Sequence, residues 1–482
     1  MQSWCLMRKT KIVCTLGPAS CGDETVRAML EAGMNVARLN FSHGTHDSHG
    51  EAIARFRQAR DEMGLAAAVM LDTKGPEIRI GKLEGGAAEL VEGSKFTLTA
   101  REILGNAEAV SITYRELPGQ IEAGTRILLD DGKLVLRAVY ITESDIECEV
   151  TTGGPLKDRK GVNIPGSRLS MPYLSAADKE DLLFGIAHDV DFVAASFVRR
   201  REDVTALRKF LDYNGGHGVR IISKIENMEG IENFDEILAA SDGIMVARGD
   251  MGVEVEYERL PGLQKKFIKA CYSAGKMAIT ATQMLESMVS SPNPTRAEIT
   301  DVANAVFDGT SAVMLSSESA MGQYPVRAVE VMARIARQAE RDAFAQNAYR
   351  GINYFLDSDD TTNAICDAAC TTARDIHAKA IIAVTKSGTT ARRMSKFRPQ
   401  TPIVAATPVE KTFHQLALSW GVYPVMARMQ SSTDDLFLHA IDCAKQIDLA
   451  EDGDTVVITG GVPLDTPGTT NILKVQVVGE RK

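Results

Sequence analysis

Eight short apolar runs, each interrupted at its end by polar residues, recur along the first two thirds of this chain with helix-like patterns between them. They are KIVCTLG from residue 11, NVARLNF from 35, AAAVMLDT from 66, DFVAASFV from 191, RIISKIE from 220, GIMVARGD from 243, MAITATQM from 277 and SAVMLSSES from 311. A strand that is apolar along its whole length is buried on both faces, which requires a parallel sheet covered by helices. Eight such units are the number that closes a (β/α)8 barrel, so the chain is expected to be α/β with a TIM barrel at its centre.

One gap breaks the rhythm. Between residues 75 and 170 the text alternates polar and apolar, as in KFTLTA and RILLDDGKLVLRAVYI, where Asp131-Gly132 is a hairpin-turn signal. This predicts an all-β domain inserted after the third strand, where it would overhang the barrel mouth. After a long charged helix ending near 345 and the polar stretch LDSDDTT, the strands AIIAVT, PIVAAT, YPVMA and DTVVITG alternate with helices, which predicts a separate open α/β domain. The expected division is thus 1–74 with 171–345 for the barrel, 75–170 for the insertion and 346–482 for the C-terminal domain. At 482 residues there is chain enough for three cores.

Lys and Arg number 54 against 64 Asp and Glu, a net charge of −10. Its long-range field disfavours nucleic acid and anionic membranes, so a phosphorylated ligand has to be gathered by local cations. No apolar run reaches the roughly 20 residues a membrane span needs. The eight cysteines form no C-x-x-C pair, and the first 30 residues lack the basic and apolar blocks of a signal peptide. Both point to a reducing cytoplasm. Cys366 and Cys370, at helical spacing in an Ala-rich segment, read as buried thiols rather than half of a metal site.

In barrels of this kind the working groups stand at the carboxyl ends of the strands. Alternate residues of a strand share a face, so Arg38, Asn40 and Ser42 should project together, as should Lys224 and Glu226. Asp72, Asp250, Thr282 and Ser316 are expected to end four other strands; capping of loops or helices is the alternative role for each. Glu226 and Asp250 close adjacent strands, and two carboxylates about 4 Å apart repel by roughly 4 kcal/mol at an effective dielectric near 20 unless a cation lies between them. Carboxylates without a neighbouring Cys or His suit Mg²⁺ or Mn²⁺. Lys224 adds a compact positive charge fit for an anionic centre, or a plain ion pair to Glu226. Arg38 can clamp a phosphate. The oxygens of Asn40, Ser42, Asp72 and Thr73 could enclose a large monovalent cation, or be hydrogen-bonded strand ends. His43, His46 and His49 in SHGTHDSHG fit a loop entering a helix better than a zinc site.

At these residues the chain resembles the pyruvate kinase family. The motifs KIVCTLGP, ARLNFSHG, LDTKGPEIR, KGVNIPG, IISKIEN, MVARGDMGVE, ATQMLESM and PTRAEITDVANAVFDG follow one another in that family's order. The resemblance implies a barrel, an inserted β lid and a C-terminal regulatory domain. It also implies transfer of phosphate from phosphoenolpyruvate to ADP, giving pyruvate and ATP, by a cytoplasmic homotetramer. Carried over motif by motif, Glu226 and Asp250 are implied to hold Mg²⁺, and Asn40, Ser42, Asp72 and Thr73 to hold K⁺. Arg38 and Lys224 would hold the moving phosphate, and Gly249, Asp250 and Thr282 the substrate carboxylate. Asn40, His43, Arg79 and Lys160 fall on the nucleotide side. Glu77 matches the potassium-dependent form of the family. The enolate is implied to receive its proton through Thr282 and water, with Ser316 the rival donor. The motif MLSSES has Ser317 and Ser319 where the family often has Gly and Thr, leaving Ser316 and Glu318 in place.

In the C-terminal part, TKSGTTARR places Thr385, Ser387, Gly388, Thr389 and Thr390 at a helix start, either an anion pocket or an ordinary capped helix. It resembles the phosphate loop of effector-regulated members. The later loop TGGVPLDTPGTTN lacks the tryptophan and arginine that fructose-bisphosphate-regulated animal members carry there, so a sugar monophosphate or AMP is the expected effector. Two other readings stay open from sequence: a magnesium-dependent lyase or aldolase working through a pyruvate enolate on the same barrel, and an inactive metabolite sensor that kept the fold.

Overall fold

In a computed structural model of the chain, residues 8–347, 349, 360–463 and 470–480 are described. The eight apolar runs form eight strands: β1 (Lys11–Thr15), β2 (Val36–Asn40), β3 (Ala68–Asp72), β4 (Phe192–Ala195), β5 (Arg220–Ile225), β6 (Gly243–Ala247), β7 (Met277–Ala281) and β8 (Ala312–Leu315). Every neighbouring pair is parallel, and β1 pairs with both β2 and β8, so the sheet closes. Near-continuous apolar sequence is required because each strand faces two cores. Val13, Val36, Met70, Phe192, Ile222, Met245, Ile279 and Met314 fill the barrel interior. A second cluster, including Ile12, Leu39, Leu71, Val193, Ile221 and Val313, packs the outer face of the strands against the helices. Leu418, from the C-terminal part of the chain, joins the interior cluster.

The segment after β3 forms a seven-stranded sheet and a two-stranded companion around its own core of Phe96, Leu98, Ile127, Leu136 and Ile146. Strands Arg126–Leu129 and Leu134–Ile141 pair antiparallel across the turn predicted at Asp131-Gly132. Asp130, Asp131 and Gly132 all take positive φ there, which the short Asp side chains and glycine tolerate.

The last third builds a five-stranded sheet from β9 (Ala380–Val384), β10 (Ile403–Thr407), β11 (Val422–Met426), β12 (Thr455–Gly461) and β13 (Thr470–Val477). Its order is β11-β10-β9-β12-β13, parallel except for β13. It abuts the foot of the barrel: Lys11 Nζ donates to the Val422 carbonyl at 2.6 Å, and Arg398 Nη2 to that of Gly309 at 2.8 Å. Most of the polar stretch LDSDDTT lies outside the described residues. Among the described residues no helix is long and apolar enough to cross a membrane, and the seven described cysteines are free, Cys366 and Cys370 facing the core of the C-terminal sheet.

Candidate active site

β2 and β3 pair Asn40 with Asp72 and Arg38 with Met70, so parity and register bring Arg38, Asn40 and Asp72 to one side of the sheet. The Arg38 Nε donates to Asp72 Oδ2 at 2.5 Å, and its Nη1 to Thr15 Oγ1 at 2.8 Å. From β5, Lys224 Nζ reaches three acceptors: Asp72 Oδ1 at 3.1 Å, Ser196 Oγ at 2.8 Å and Glu226 Oε1 at 3.0 Å. Lys224 thus pairs with Glu226, and with Asp72 as well, in a buried charged cluster. The other Glu226 oxygen accepts from the Phe197 amide at 2.6 Å. Asp72 and Glu226 are each 1 % exposed, Arg38 7 % and Lys224 8 %.

The charges do not balance. Arg38 and Lys224 face Asp72, Glu226 and, partly buried at the same mouth, Asp250. Burial by itself would raise Asp72, but Arg38 and then Lys224 outweigh it and hold its carboxyl below the usual range. For Lys224, burial is outweighed by Asp72 and Glu226, which push the ammonium up. Glu226 is left with the surplus: burial pushes its carboxyl up to about 8, with Lys224 pulling against it and Asp250 adding to the rise. The buried Glu226, which shares Lys224 with Asp72, and the partly buried Asp250 make a donor set that a hard divalent cation would complete, since oxygen ligands and an excess negative charge are what Mg²⁺ and Mn²⁺ require.

The positions expected to end strands divide. Asp72 does end β3. Asp250 instead lies in the helix Arg248–Glu254 that starts directly after β6, and Thr282 and Ser316 each stand one residue past β7 and β8. Arg248, the first residue of that helix, pairs with Asp301 at 2.7 Å and donates to the Thr282 carbonyl at 2.7 Å. This turn brings Gly249 to Thr282: the Gly249 amide donates to Thr282 Oγ1 at 2.7 Å, and a Cβ on Gly249 would stand 3.3 Å from the same oxygen. Thr282 is held at φ 69°, a costly conformation for a β-branched residue. Ser316 caps a short helix, its amide donating to Glu318 Oε2 at 2.7 Å. Ser319 donates to the Thr15 carbonyl at 2.9 Å, so that departure from the family motif has a hydrogen-bonding role.

Of the four oxygens read as a cation shell, Asn40 Oδ1 accepts from the Ser42 amide at 3.1 Å, Thr73 Oγ1 accepts from the Ser196 amide at 3.1 Å, and Asp72 is engaged by Arg38 and Lys224. The hydrogen-bonded strand-end role is thus present in the metal-free chain. Two of the three histidines have packing or hydrogen-bond partners. Thr45 caps the helix His46–Glu62, His46 Nε2 meets Asp181 at 2.7 Å, and His49 stacks on Phe41 with its Nε2 2.8 Å from the exposed His43's carbonyl.

A cleft of about 450 Å³ runs between the insertion and the barrel mouth, lined by Glu77, Arg79, Asp130, Lys160 and Asp250 among others. Arg79 is held by Glu77 at 2.6 and 2.9 Å and Lys160 by Asp130 at 2.8 Å. Arg38, Asn40, His43, Lys224, Glu226 and Thr282 do not line it. A second cavity, about 270 Å³, has Thr385, Ser387, Thr389 and Thr390 on its wall together with Lys386, Arg393, Arg428 and His439. Gly388 takes φ 77° to turn that loop into the helix Thr389–Lys396, its amide donating to Thr385 Oγ1 at 3.0 Å.

Ser196 was missed by sequence reading. Its hydroxyl receives Lys224, donates to the Thr73 carbonyl at 2.6 Å and lies 3.2 Å from Asp72 Oδ1. The available signal was its place: one residue past β4, where a serine interrupts FVAASFV.

The model of the pyruvate kinase barrel domain matches residues 7–329, and that of the pyruvate kinase alpha/beta domain residues 363–476. A pyruvate kinase of Clostridium acetobutylicum is 47% identical over 481 residues, covering 98% of this chain and 100% of its own. One of Geobacillus stearothermophilus is 48% identical over 98% of this chain and 81% of its own. The crystal structure of a pyruvate kinase from Cryptosporidium parvum superposes with a TM-score of 0.92 at 39% identity, over 98% of this chain and 97% of that one. With matches that run through both the barrel and the C-terminal sheet, the chain belongs to the pyruvate kinase family.

Proposed function

We propose that this chain transfers the phosphoryl group of phosphoenolpyruvate to ADP, giving pyruvate and ATP, at the cluster of Arg38, Asp72, Lys224 and Glu226. The observation that carries this reading is the buried cluster in which Lys224 lies 3.0 Å from Glu226 and 3.1 Å from Asp72, with burial first, and then Asp250, raising Glu226 to about 8. Glu226 and Asp250 would hold Mg²⁺ or Mn²⁺. When bound, such an ion supplies charge neutralisation at the enolate and phosphoryl oxygens. Asn40, Ser42, Asp72 and Thr73 would hold K⁺.

Phosphoryl transfer asks mainly for positioning and charge stabilisation. Arg38 offers a planar fork whose Nη2 is left for the phosphoryl group. The Lys224 ammonium, kept protonated by its carboxylates, stabilises negative charge as the bridging oxygen becomes an enolate. Gly249, Asp250 and Thr282 receive the substrate carboxylate, and Thr282 passes a proton through water to the enolate carbon, with Ser316 the alternative donor. Arg79 and Lys160 face the nucleotide from the insertion, His43 and Asn40 from β2 and the loop after it. The insertion, residues 75–170, acts as a lid on the barrel of 1–74 and 171–345, while 346–482 is regulatory. The cavity behind Thr385, Ser387, Gly388, Thr389 and Thr390 takes a phosphorylated effector, a sugar monophosphate or AMP. The chain works as a cytoplasmic homotetramer.

Measuring pyruvate release from phosphoenolpyruvate with and without ADP tests the reading. Release is expected only with ADP and in step with ATP. Pyruvate formed from a carbon–carbon cleavage substrate without ADP would mark the lyase instead, which family membership does not favour.

A further inference from the structure

β5 carries Lys224 near its mouth end and Arg220 at its foot, roughly 13 Å away at about 3.3 Å per residue. The Arg220 guanidinium takes partners from three elements. Nη1 donates to Asp242 Oδ1 at 2.8 Å, Nε to Gln415 Oε1 at 3.0 Å, and Nη2 reaches the Ser387 carbonyl at 3.4 Å. Asp242, just before β6, also accepts from the Ile221 amide at 2.9 Å, so it ties the foot of β5 to the strand whose helix bears Asp250. Gln415 donates to the carbonyls of Gly218 and Asp191, and Asp191 accepts from the Val69 amide of β3, which ends in Asp72. The strands whose mouths hold Asp72, Ser196, Lys224, Glu226 and Asp250 are therefore gathered at their feet by one network that includes residues of the C-terminal part.

Ser387 lies on the wall of the 270 Å³ cavity. Its carbonyl also accepts from Arg392 Nη2 at 2.7 Å, while Arg392 Nη1, buried, has no hydrogen-bond partner among the described residues. Burial, and then the like charge of Arg220, bring the Arg392 guanidinium down to about 9. Two cations thus converge on one carbonyl whose own loop faces the cavity. An anion in the cavity beside this loop would offset the repulsion between the two guanidiniums and so let the long Arg220 contact to the Ser387 carbonyl shorten.

We propose that Arg220 is a positioning residue that couples the Ser387 loop to Lys224 and Glu226 through β5, so that an anion in the C-terminal cavity tightens phosphoenolpyruvate binding at the barrel mouth. This rests on the reading of that cavity as a phosphate-ester site. The test uses the full-length chain with AMP and with glucose 6-phosphate as probes, following probe binding by calorimetry and KM against kcat by steady-state assay. In the wild type a bound probe lowers the KM for phosphoenolpyruvate by about fivefold or more at constant kcat. Arg220→Met binds the probe as the wild type does, with the KM response lost, and Arg220→Lys, which keeps the charge without the fork, restores part of it. By reciprocity oxalate at the active site tightens AMP binding in the wild type and not in Arg220→Met. If the probes bind and Arg220→Met, or Arg220→Lys should Met not fold, responds fully, the coupling falls while the effector site stands. If neither probe binds the wild type, both fall.

Discussion

Lys224 touches Asp72, Ser196 and Glu226 at once, an arrangement that holds the ammonium charged and aimed at the barrel mouth. Lys224→Met keeps the stem and removes the charge, so turnover should fall by roughly 10²–10³, about 2.7–4 kcal/mol of lost transition-state stabilisation. Oxalate binding, followed by calorimetry, should persist; near-normal turnover would remove Lys224 from the chemistry. Glu226 gives a prediction of opposite kind. Its folded value of about 8 lies above the ordinary 4.5, so the metal-free carboxyl is mostly protonated at pH 7 and a divalent ion has to displace that proton. Calorimetry in buffers of different ionisation enthalpy should read close to one proton released per Mg²⁺ near pH 6.5 and almost none above pH 9, as expected for a group titrating near 8. The sign for stability is the same: Glu226 favours the metal-free fold below about 4.5, and that contribution is lost as pH rises through about 8. Proton release independent of pH would show another ligand set. Parity alone placed Lys224 and Glu226 together in the sequence. It could not find Ser196, because a lone serine after an apolar strand looks the same whether it meets solvent or a buried lysine.

At the scale of elements, the eight apolar runs were legible because each strand is buried on both sides, and their polar ends because a barrel has a mouth. The failure was at the exits. Sequence pattern cannot tell that a helix starts at Arg248, held by Asp301 far along the chain, so Asp250 sits one turn past β6 instead of on it. That same turn sets up the Gly249 amide on Thr282 Oγ1. Thr282→Ala leaves this amide without its partner and is expected to lower kcat by about tenfold to a hundredfold, a hydrogen bond of roughly 1.5–3 kcal/mol to a charged site, with Thr282→Ser restoring most of it; equal rates in Ala and Ser variants would relieve the hydroxyl of any role. The loop after β3 bears Glu77, paired here with Arg79. Turnover should drop in potassium-free buffer and return on adding KCl, whereas Glu77→Lys should lessen the requirement; undiminished activity without potassium removes K⁺ from the account.

For the whole molecule, three cores and their chain order could be read in advance since composition and periodicity change from one to the next. What packs against what could not: the foot of the barrel is closed by Leu418 and stitched to the C-terminal sheet by Lys11 and Arg398, contacts between residues far apart in sequence. The cleft between insertion and barrel has Asp250, Arg79 and Lys160 on its walls, while Arg38, Lys224 and Glu226 lie outside its lining. The account stands on a doubly charged ion between Glu226 and Asp250. Diffraction from crystals grown with Mn²⁺ and oxalate, collected for anomalous signal, tests it most directly: one peak is predicted about 2.1 Å from an oxygen of each carboxylate, and a map with no peak touching both would contradict it.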